Sequence, residues 1–213
     1  MKRELPGARK KGCRTRQLEY WTSAFGDAYI DRNDGEAHAL RRPFFEELLQ
    51  RSPGVESILE VGCNVAWNLK VLADIRPRLV LAGVEPNARA LQIAQARYPG
   101  LDLRAGSAFG LPFAGESFDL VMTVGVLIHI APTDLERALS EMLRVSRRYV
   151  LTVEYFSEHP VTVPYRGLPD ALFKCDWLEA WKRQAPNLRL DWAGELDKSQ
   201  GFDDCRYWLL QKS

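Results

Sequence analysis

The stretch Ser57-Ile58-Leu59-Glu60-Val61-Gly62-Cys63-Asn64-Val65-Ala66-Trp67-Asn68-Leu69 constrains this chain more than any other. It reads as a short apolar strand that runs into an acidic residue, a glycine turn and a new helix. A strand, a tight turn and a helix N-terminus make a floor for a nucleotide-like ligand, because backbone N–H groups at the turn are left free to bind it. The acid beside the glycine narrows the choice. A dinucleotide fold uses several glycines here so that a pyrophosphate can approach the backbone, whereas the carboxylate of Glu60 repels phosphate and attracts a cation.

From Val55 onward strand and helix patterns alternate. Strands are predicted at 56–61, 79–84, 101–105, 118–124 and 149–153, with helices over 64–75, to residue 98 after Asn87, and over 132–145. Continuous apolar strands in a βαβαβ rhythm predict a mostly parallel sheet covered by helices on both faces. Before it, residues 17–31 place Leu18, Trp21, Phe25, Tyr29 and Ile30 at helical spacing, as one amphipathic helix weakened by Gly26 or as two short pieces. Arg32-Asn33-Asp34-Gly35 ends it as a turn, and a second helix covers 36–51 until Pro53-Gly54. Residues 155–175, with three prolines and Gly167, read as an insertion within one domain. A helix over 176–184 then leads to strands near 188–192 and 206–211, a closing hairpin at the sheet edge.

In an open parallel sheet, ligands lie beyond the carboxyl ends of the strands, so the residues there form one surface. Glu60, Gly62 and Asn64 follow strand one, Asn64 also being placed to cap the helix. Glu85, 23 residues after Gly62, ends strand two, where a carboxylate can accept two hydrogen bonds from ribose hydroxyls; Asn87 follows it. Ser107 and Ala108 would meet the edge of an adenine ring, or simply turn the chain. Thr123 and Gly125 end strand four, the glycine letting backbone come close to a cofactor. A ligand with a positive group, such as the amino end and sulfonium of S-adenosylmethionine, suits this acidic surface. His129 and Glu154 are the candidate general bases, each with a packing or pairing alternative. Tyr155, Tyr165, Arg166 and Lys174 are the candidate substrate residues, two of them cations suited to a phosphate or carboxylate.

A length of 213 residues with 46% hydrophobic content suits one domain, residues 17–213, behind a basic arm at 1–16 that holds seven Lys and Arg against Glu4 alone. A net charge of +1 predicts no general nucleic-acid or membrane partner. No apolar leader follows Met1 and the run at 120–131 is too short to span a membrane, so a soluble, cytoplasmic protein is expected. The four cysteines are far apart, with no histidine at ligand spacing, so reduced thiols and no metal are expected.

The segments Leu59-Glu60-Val61-Gly62-Cys63-Asn64, Val84-Glu85-Pro86, Gly106-Ser107-Ala108 and Ser117-Phe118-Asp119-Leu120-Val121 resemble the class I S-adenosylmethionine-dependent methyltransferases. A narrower resemblance covers nearly the whole chain: Trp21, residues 25–33, Gly62-Cys63-Asn64, Val163-Pro164-Tyr165-Arg166-Gly167 and Leu172-Phe173-Lys174 look like the methyltransferases associated with pseudaminic acid biosynthesis. That family's pattern has a glycine where this chain has Ala66. The resemblance implies a Rossmann-like, seven-stranded sheet whose last strand is antiparallel, and an N-terminal helical cover over 17–52. It also implies that Tyr29, Arg32 and Asn33 close over the methionine end of the cofactor, Arg32 pairing its carboxylate. The expected activity is methyl transfer to an oxygen or nitrogen of a small polar, anionic metabolite, a sugar or natural-product precursor. A non-catalytic cofactor-binding or scaffolding protein and an NAD-dependent oxidoreductase are the alternatives; Val65, Ala66 and Trp67 speak against the latter, which would want more glycines. The acceptor and the oligomeric state stay open.

Overall fold

The computed structural model describes residues 15–32 and 36–213. The basic arm before Thr15, with Cys13, lies outside the described residues, and so does Asn33 with the rest of its turn.

The N-terminal segment is two short helices, α1 (Arg16–Trp21) and α2 (Ala24–Arg32). Thr15 caps α1 by accepting from Leu18 N at 3.1 Å, and Thr22 and Ser23 end it by donating to Leu18 O and Tyr20 O. Gly26, in the first turn of α2, faces the end of α1: a Cβ there would sit 2.0 Å from Trp21 O. The glycine is thus needed for the corner rather than merely tolerated in a helix. The single helix expected over 36–51 is instead a 3-10 turn (Glu36–Arg41) followed by α3 (Arg42–Arg51). Pro43, which lacks an N–H, occupies the first turn of α3, where a free N–H would otherwise be left over.

The alternating region forms β1 (Ser57–Val61), α4 (Trp67–Ile75), β2 (Val80–Glu85), α5 (Ala88–Arg97), β3 (Asp102–Ala105), β4 (Phe118–Val124), α6 (Pro132–Val145) and β5 (Ser146–Glu154). Residues 155–175 are a hairpin of their own, β6 (Val161–Tyr165) and β7 (Leu168–Lys174), and the chain closes with α7 (Trp177–Gln184), β8 (Arg189–Leu196) and β9 (Cys205–Gln211). The main sheet has seven strands in the order β3-β2-β1-β4-β5-β9-β8, with β9 antiparallel to both of its neighbours. This is the Rossmann-like class I methyltransferase architecture that the alternation and the resemblance predict.

Strand periodicity divides the core in two. Leu59, Val121, Val150 and Leu210 face one layer with Leu139 and Met142 of α6 and Trp177 and Trp181 of α7. Ile58, Leu120, Leu151 and Leu209 face the other, with α3, α4 and α5. Trp181 is fully buried, and its indole N–H is satisfied by Thr152 Oγ1 at 2.9 Å. Because β1 lies between β2 and β4, paired with Ala82 and Val121 through Leu59, the strand order reverses at β1. The gap beyond its carboxyl end is where such sheets hold ligands. Among the described residues no helix is long and apolar enough to cross a membrane.

Candidate active site at the strand ends

The turn after β1 is built from alternating left-handed residues: Gly62 at φ +74°, Asn64 at +47° and Ala66 at +65°. This conformation delays the helix. Asn64 does not cap it as expected; Ala66 holds the cap position without a side-chain bond, and α4 starts at Trp67. Gly62 N and Cys63 N both donate to Val84 O, at 2.7 and 3.1 Å, which pins the turn to the end of β2. An L-residue in left-handed backbone costs about 1–2 kcal/mol, while Ala→Gly loses about 0.4–1 kcal/mol through the freer unfolded chain. Ala66→Gly is therefore expected to leave stability unchanged or raise it by up to about 1.5 kcal/mol, read as the urea midpoint. A fall of the size seen for this change inside a helix would contradict it.

Two buried carboxylates flank this turn. Glu85 accepts from Asn64 N with one oxygen and from Asn87 N with the other, both at 2.8 Å, and burial raises its pKa to about 7. Glu60 accepts from Asn68 Nδ2 at 2.6 Å through Oε1, while its Oε2 is buried without a partner. Burial pushes Glu60 up to about 8. Asn68 Oδ1 in turn accepts from Arg41 Nη1 at 2.8 Å. Arg41 Nε donates to Gly201 O at 2.8 Å, and the guanidinium lies 4.5 Å from the Phe202 ring centroid. A chain from Arg41 through Asn68 to Glu60 thus joins the 3-10 turn, α4, β1 and the β8–β9 connection.

Over these residues lies a cavity of about 700 Å³, walled by the strand ends, the N-terminal helices, the β6–β7 hairpin and the β8–β9 connection. The cover is tied down by Arg16, Gln17 and Tyr20, which all reach Asp170 of β7, and by an ion pair of Arg89 with Asp31. The Trp21 ring packs 4.4 Å from His129 and 5.2 Å from Tyr29; Tyr165 lies 5.5 Å from His129. His129 Nδ1 is 2.6 Å from Ala171 O. A carbonyl only accepts, so Nδ1 carries the proton and Nε2 keeps its lone pair. Burial lowers the imidazole pKa to about 4, so the ring is neutral at physiological pH. The hairpin turns through Arg166-Gly167, at φ +48° and +85° between the paired Tyr165 and Leu168, as a two-residue turn of right-handed twist requires.

Residues 59–150 match the family model for a methyltransferase domain. Over this segment the chain is similar to methyltransferase domains. Such a domain takes S-adenosylmethionine as its cofactor. The chain is 30% identical over 103 residues to a "Probable S-adenosylmethionine-dependent methyltransferase" of Mycolicibacterium smegmatis, covering 48% of this chain and 38% of the relative. It is 33% identical over 123 residues to the phthiotriol/phenolphthiotriol dimycocerosates methyltransferase of Mycobacterium tuberculosis, covering 57% and 45%. The chain thus spans about half, or less, of the length of these curated relatives. In fold it is similar to a SAM-dependent methyltransferase from Aquifex aeolicus, with a TM-score of 0.64 at 12% identity over 86% of this chain and 97% of that one.

Of the residues picked from sequence, Glu60, Gly62, Asn64, Glu85, Ser107 and Ala108 all line the cavity, Asn64 and Glu85 in direct contact. Gly125, at φ +67°, and His129 line it after β4, Tyr155 lines it after β5, and Tyr29, Arg32, Tyr165 and Arg166 line it from the N-terminal helices and the β6–β7 hairpin. Thr123 does not reach the wall: it is fully buried within β4. Lys174 also stays off the wall, with its ammonium 5.4 Å from the Tyr155 ring centroid. Glu154 lines the cavity, but its two oxygens accept the backbone N–H groups of Val126, Leu127 and Ile128 at 3.0–3.2 Å. Its carboxylate holds the loop after β4 in place, which leaves it poorly placed as a base. Asn87 is likewise committed: Oδ1 caps α5 at Ala90 N, and Nδ2 donates to Trp21 O and Asp27 Oδ1, docking the cover.

Sequence reading missed Arg41, Asn68 and Asp203. Asn68 sits eight residues after Glu60 on the first turns of α4, a spacing that could have flagged it. Arg41 and Asp203 carry no local signal, because Arg41 is anchored 160 residues away at Gly201.

Proposed function

We propose that this protein transfers the methyl group of S-adenosylmethionine to an oxygen or nitrogen of a small polar metabolite that bears an acidic group, in the class of sugar acids or natural-product precursors. The observation that carries the reading is the pair of buried carboxylates at the glycine turn, one with an unpaired oxygen, opening into a single cavity. Trp21 Nε1, Asn64 Oδ1 and Trp67 Nε1 are also buried without partners on that wall, so the cavity suits a ligand rich in polar groups. The cofactor supplies an already activated methyl group on a sulfonium, so the protein contributes mainly alignment and exclusion of water.

In this reading Glu85 accepts the ribose hydroxyls and Glu60 receives the amino group of the methionine end. Arg41, half-buried and linked to Glu60 through Asn68, takes the carboxylate in place of the exposed Arg32. Ser107 and Ala108 meet the adenine edge, and Gly125 admits close backbone approach. Tyr155, Tyr165 and Arg166 face the acceptor. His129 offers Nε2 as a hydrogen-bond acceptor for it. The resemblance to pseudaminic acid-associated methyltransferases supports an acidic sugar, since Tyr165 and Arg166, which carry part of that resemblance, lie on the cavity wall.

Isothermal calorimetry tests the reading: micromolar binding of S-adenosylmethionine to the folded protein is expected, and absence of binding overturns it. The same titration carries a proton signature. Glu60, with its pKa near 8, is mostly protonated at pH 7 without ligand, and a bound cation favours its ionised form. Binding at pH 7 should release protons, so the measured heat should differ between phosphate and Tris.

Stability of the ligand-free protein follows the same groups. The folded state keeps protons on Glu60 and Glu85 that the unfolded chain loses above its ordinary carboxylate pKa, so stability falls as pH rises toward 7–8 and is then flat. His129 acts oppositely and only lower down, adding stability as pH rises from about 4 to its ordinary value of 6.5. A lower melting temperature at pH 8 than at pH 6.5 is therefore expected.

A further inference from the structure

Asp203 lies in the connection between β8 and β9, on the cavity wall, and belongs to no motif legible in the sequence. Tyr155 Oη donates to its Oδ2 at 2.6 Å. Burial and the nearby Asp203 both keep the Tyr155 hydroxyl protonated, so it remains the donor of this pair. Among the described residues no side chain or backbone group bonds to Oδ1. Asp203 also lies close enough to Tyr29 to contribute to raising that phenol's pKa, after burial and Tyr165. The same cavity is lined by an aromatic cluster in which Trp21 contacts Tyr29 at 5.2 Å and His129 at 4.4 Å, and His129 contacts Tyr165 at 5.5 Å.

We propose that Asp203 receives a protonated amine of the acceptor, so that the atom methylated is nitrogen and the acceptor is a small amine that also carries an acidic group. The inference rests on the methyl-transfer reading above and narrows it. A carboxylate oriented by a hydroxyl, with one oxygen left open on a cavity wall, is a receptor for an ammonium group, because a charge-assisted hydrogen bond favours the cation. Arg166, on the same cavity wall, supplies the counterpart for the acidic group.

The available bases separate the two acceptor classes. An aliphatic hydroxyl ionises only far above physiological pH, as bulk water does, and an alkylammonium near about 10.4. His129, held near 4 by burial, is far too weak a base to ionise a hydroxyl, and Glu154 is occupied by three backbone amides. An ammonium needs only to lose one proton to solvent. Its nitrogen lone pair then forms the new N–C bond while the electron pair of the methyl–sulfur bond returns to sulfur. One proton is released per methyl group transferred, and no oxidant or further reactant is required.

The test uses the full-length protein saturated with S-adenosylhomocysteine and saturation-transfer NMR. The probes are amino acids and amino-sugar acids, each offered beside the hydroxy acid of the same skeleton. Amines should bind and their hydroxy partners should bind at least about tenfold more weakly, the discrimination expected for a hydrogen bond to a charged group. Asp203→Asn keeps an oxygen for Tyr155 and removes only the charge, so it should abolish the preference while leaving S-adenosylhomocysteine affinity unchanged. Equal binding of the hydroxy acids, an undiminished preference in Asp203→Asn, or no amine binding at all would each overturn the proposal. Failure of the wild type to bind S-adenosylhomocysteine would strike instead at the methyl-transfer reading beneath it.

Discussion

Replacing Glu85 with alanine should weaken S-adenosylmethionine binding by at least about 100-fold, since two hydrogen bonds to a charged acceptor at about 1.5–3 kcal/mol each are lost. The carboxylate also holds the turn itself. With Glu85 gone, Asn64 N and Asn87 N lose their acceptors, and Asn87 is the residue on which the N-terminal cover docks. The loss should therefore exceed that of a ribose contact alone and be accompanied by a looser cover, visible as faster amide exchange in α1 and α2. Glu85→Gln is the informative companion. It preserves shape, but its NH2 must face one of two backbone N–H groups, so binding should remain impaired. Calorimetry on all three proteins decides the matter, and wild-type affinity in Glu85→Ala would remove this residue from the site.

Gly62→Ala should cost about 2–5 kcal/mol of stability, the sum of left-handed backbone strain and overpacking. The strain follows from φ +74°, and the overpacking from a Cβ that would lie 2.6 Å from Val126 Cγ2. The two contributions can be separated. Val126→Ala removes the clash without touching the backbone strain, so the double variant should recover part of the loss, and a double-mutant cycle in urea should give a favourable coupling. Additive effects would mean that Val126 moves aside freely. That is not expected, because Val126 N is held by Glu154 Oε1 at 3.0 Å, and the loop is fixed by two further amide bonds to the same carboxylate. The glycine turn and the loop after β4 are thus packed against one another, and stiffness in one is imposed on the other.

The alternation of apolar runs and amphipathic stretches was sufficient to place the five parallel strands, because the inner ones bury both faces and read as apolar runs, while the edge strand β3 buries only Leu103. β4 and α6 were located at their observed limits, Phe118–Val124 and Pro132–Val145. Boundaries failed where backbone conformation overrode side-chain pattern. Left-handed Asn64 and Ala66 postponed α4 to Trp67, and Pro43 divided the expected 36–51 helix. Within the site, Glu60, Gly62 and Glu85 were legible because each sits at a strand end within its own βα unit. Glu154 was correctly placed on the surface beyond the strands, yet its chemistry is set by three amides that its own neighbours in sequence do not supply.

What the sequence determined by itself is the acidic glycine turn and the sheet that carries it, since local propensity, strand periodicity and the spacing of two carboxylates all act over short distances along the chain. What only the tertiary structure decided is which side chains share the cavity. Arg41 reaches Glu60 through Asn68 and is anchored at Gly201, Tyr155 orients Asp203 across 48 positions, and His129 takes its tautomer from Ala171. These are contacts between segments brought together by the packing of the cover, the hairpin and the last two strands. No local pattern encodes them, because the free energy that holds them belongs to the burial of whole elements against the sheet and not to the residues that meet there.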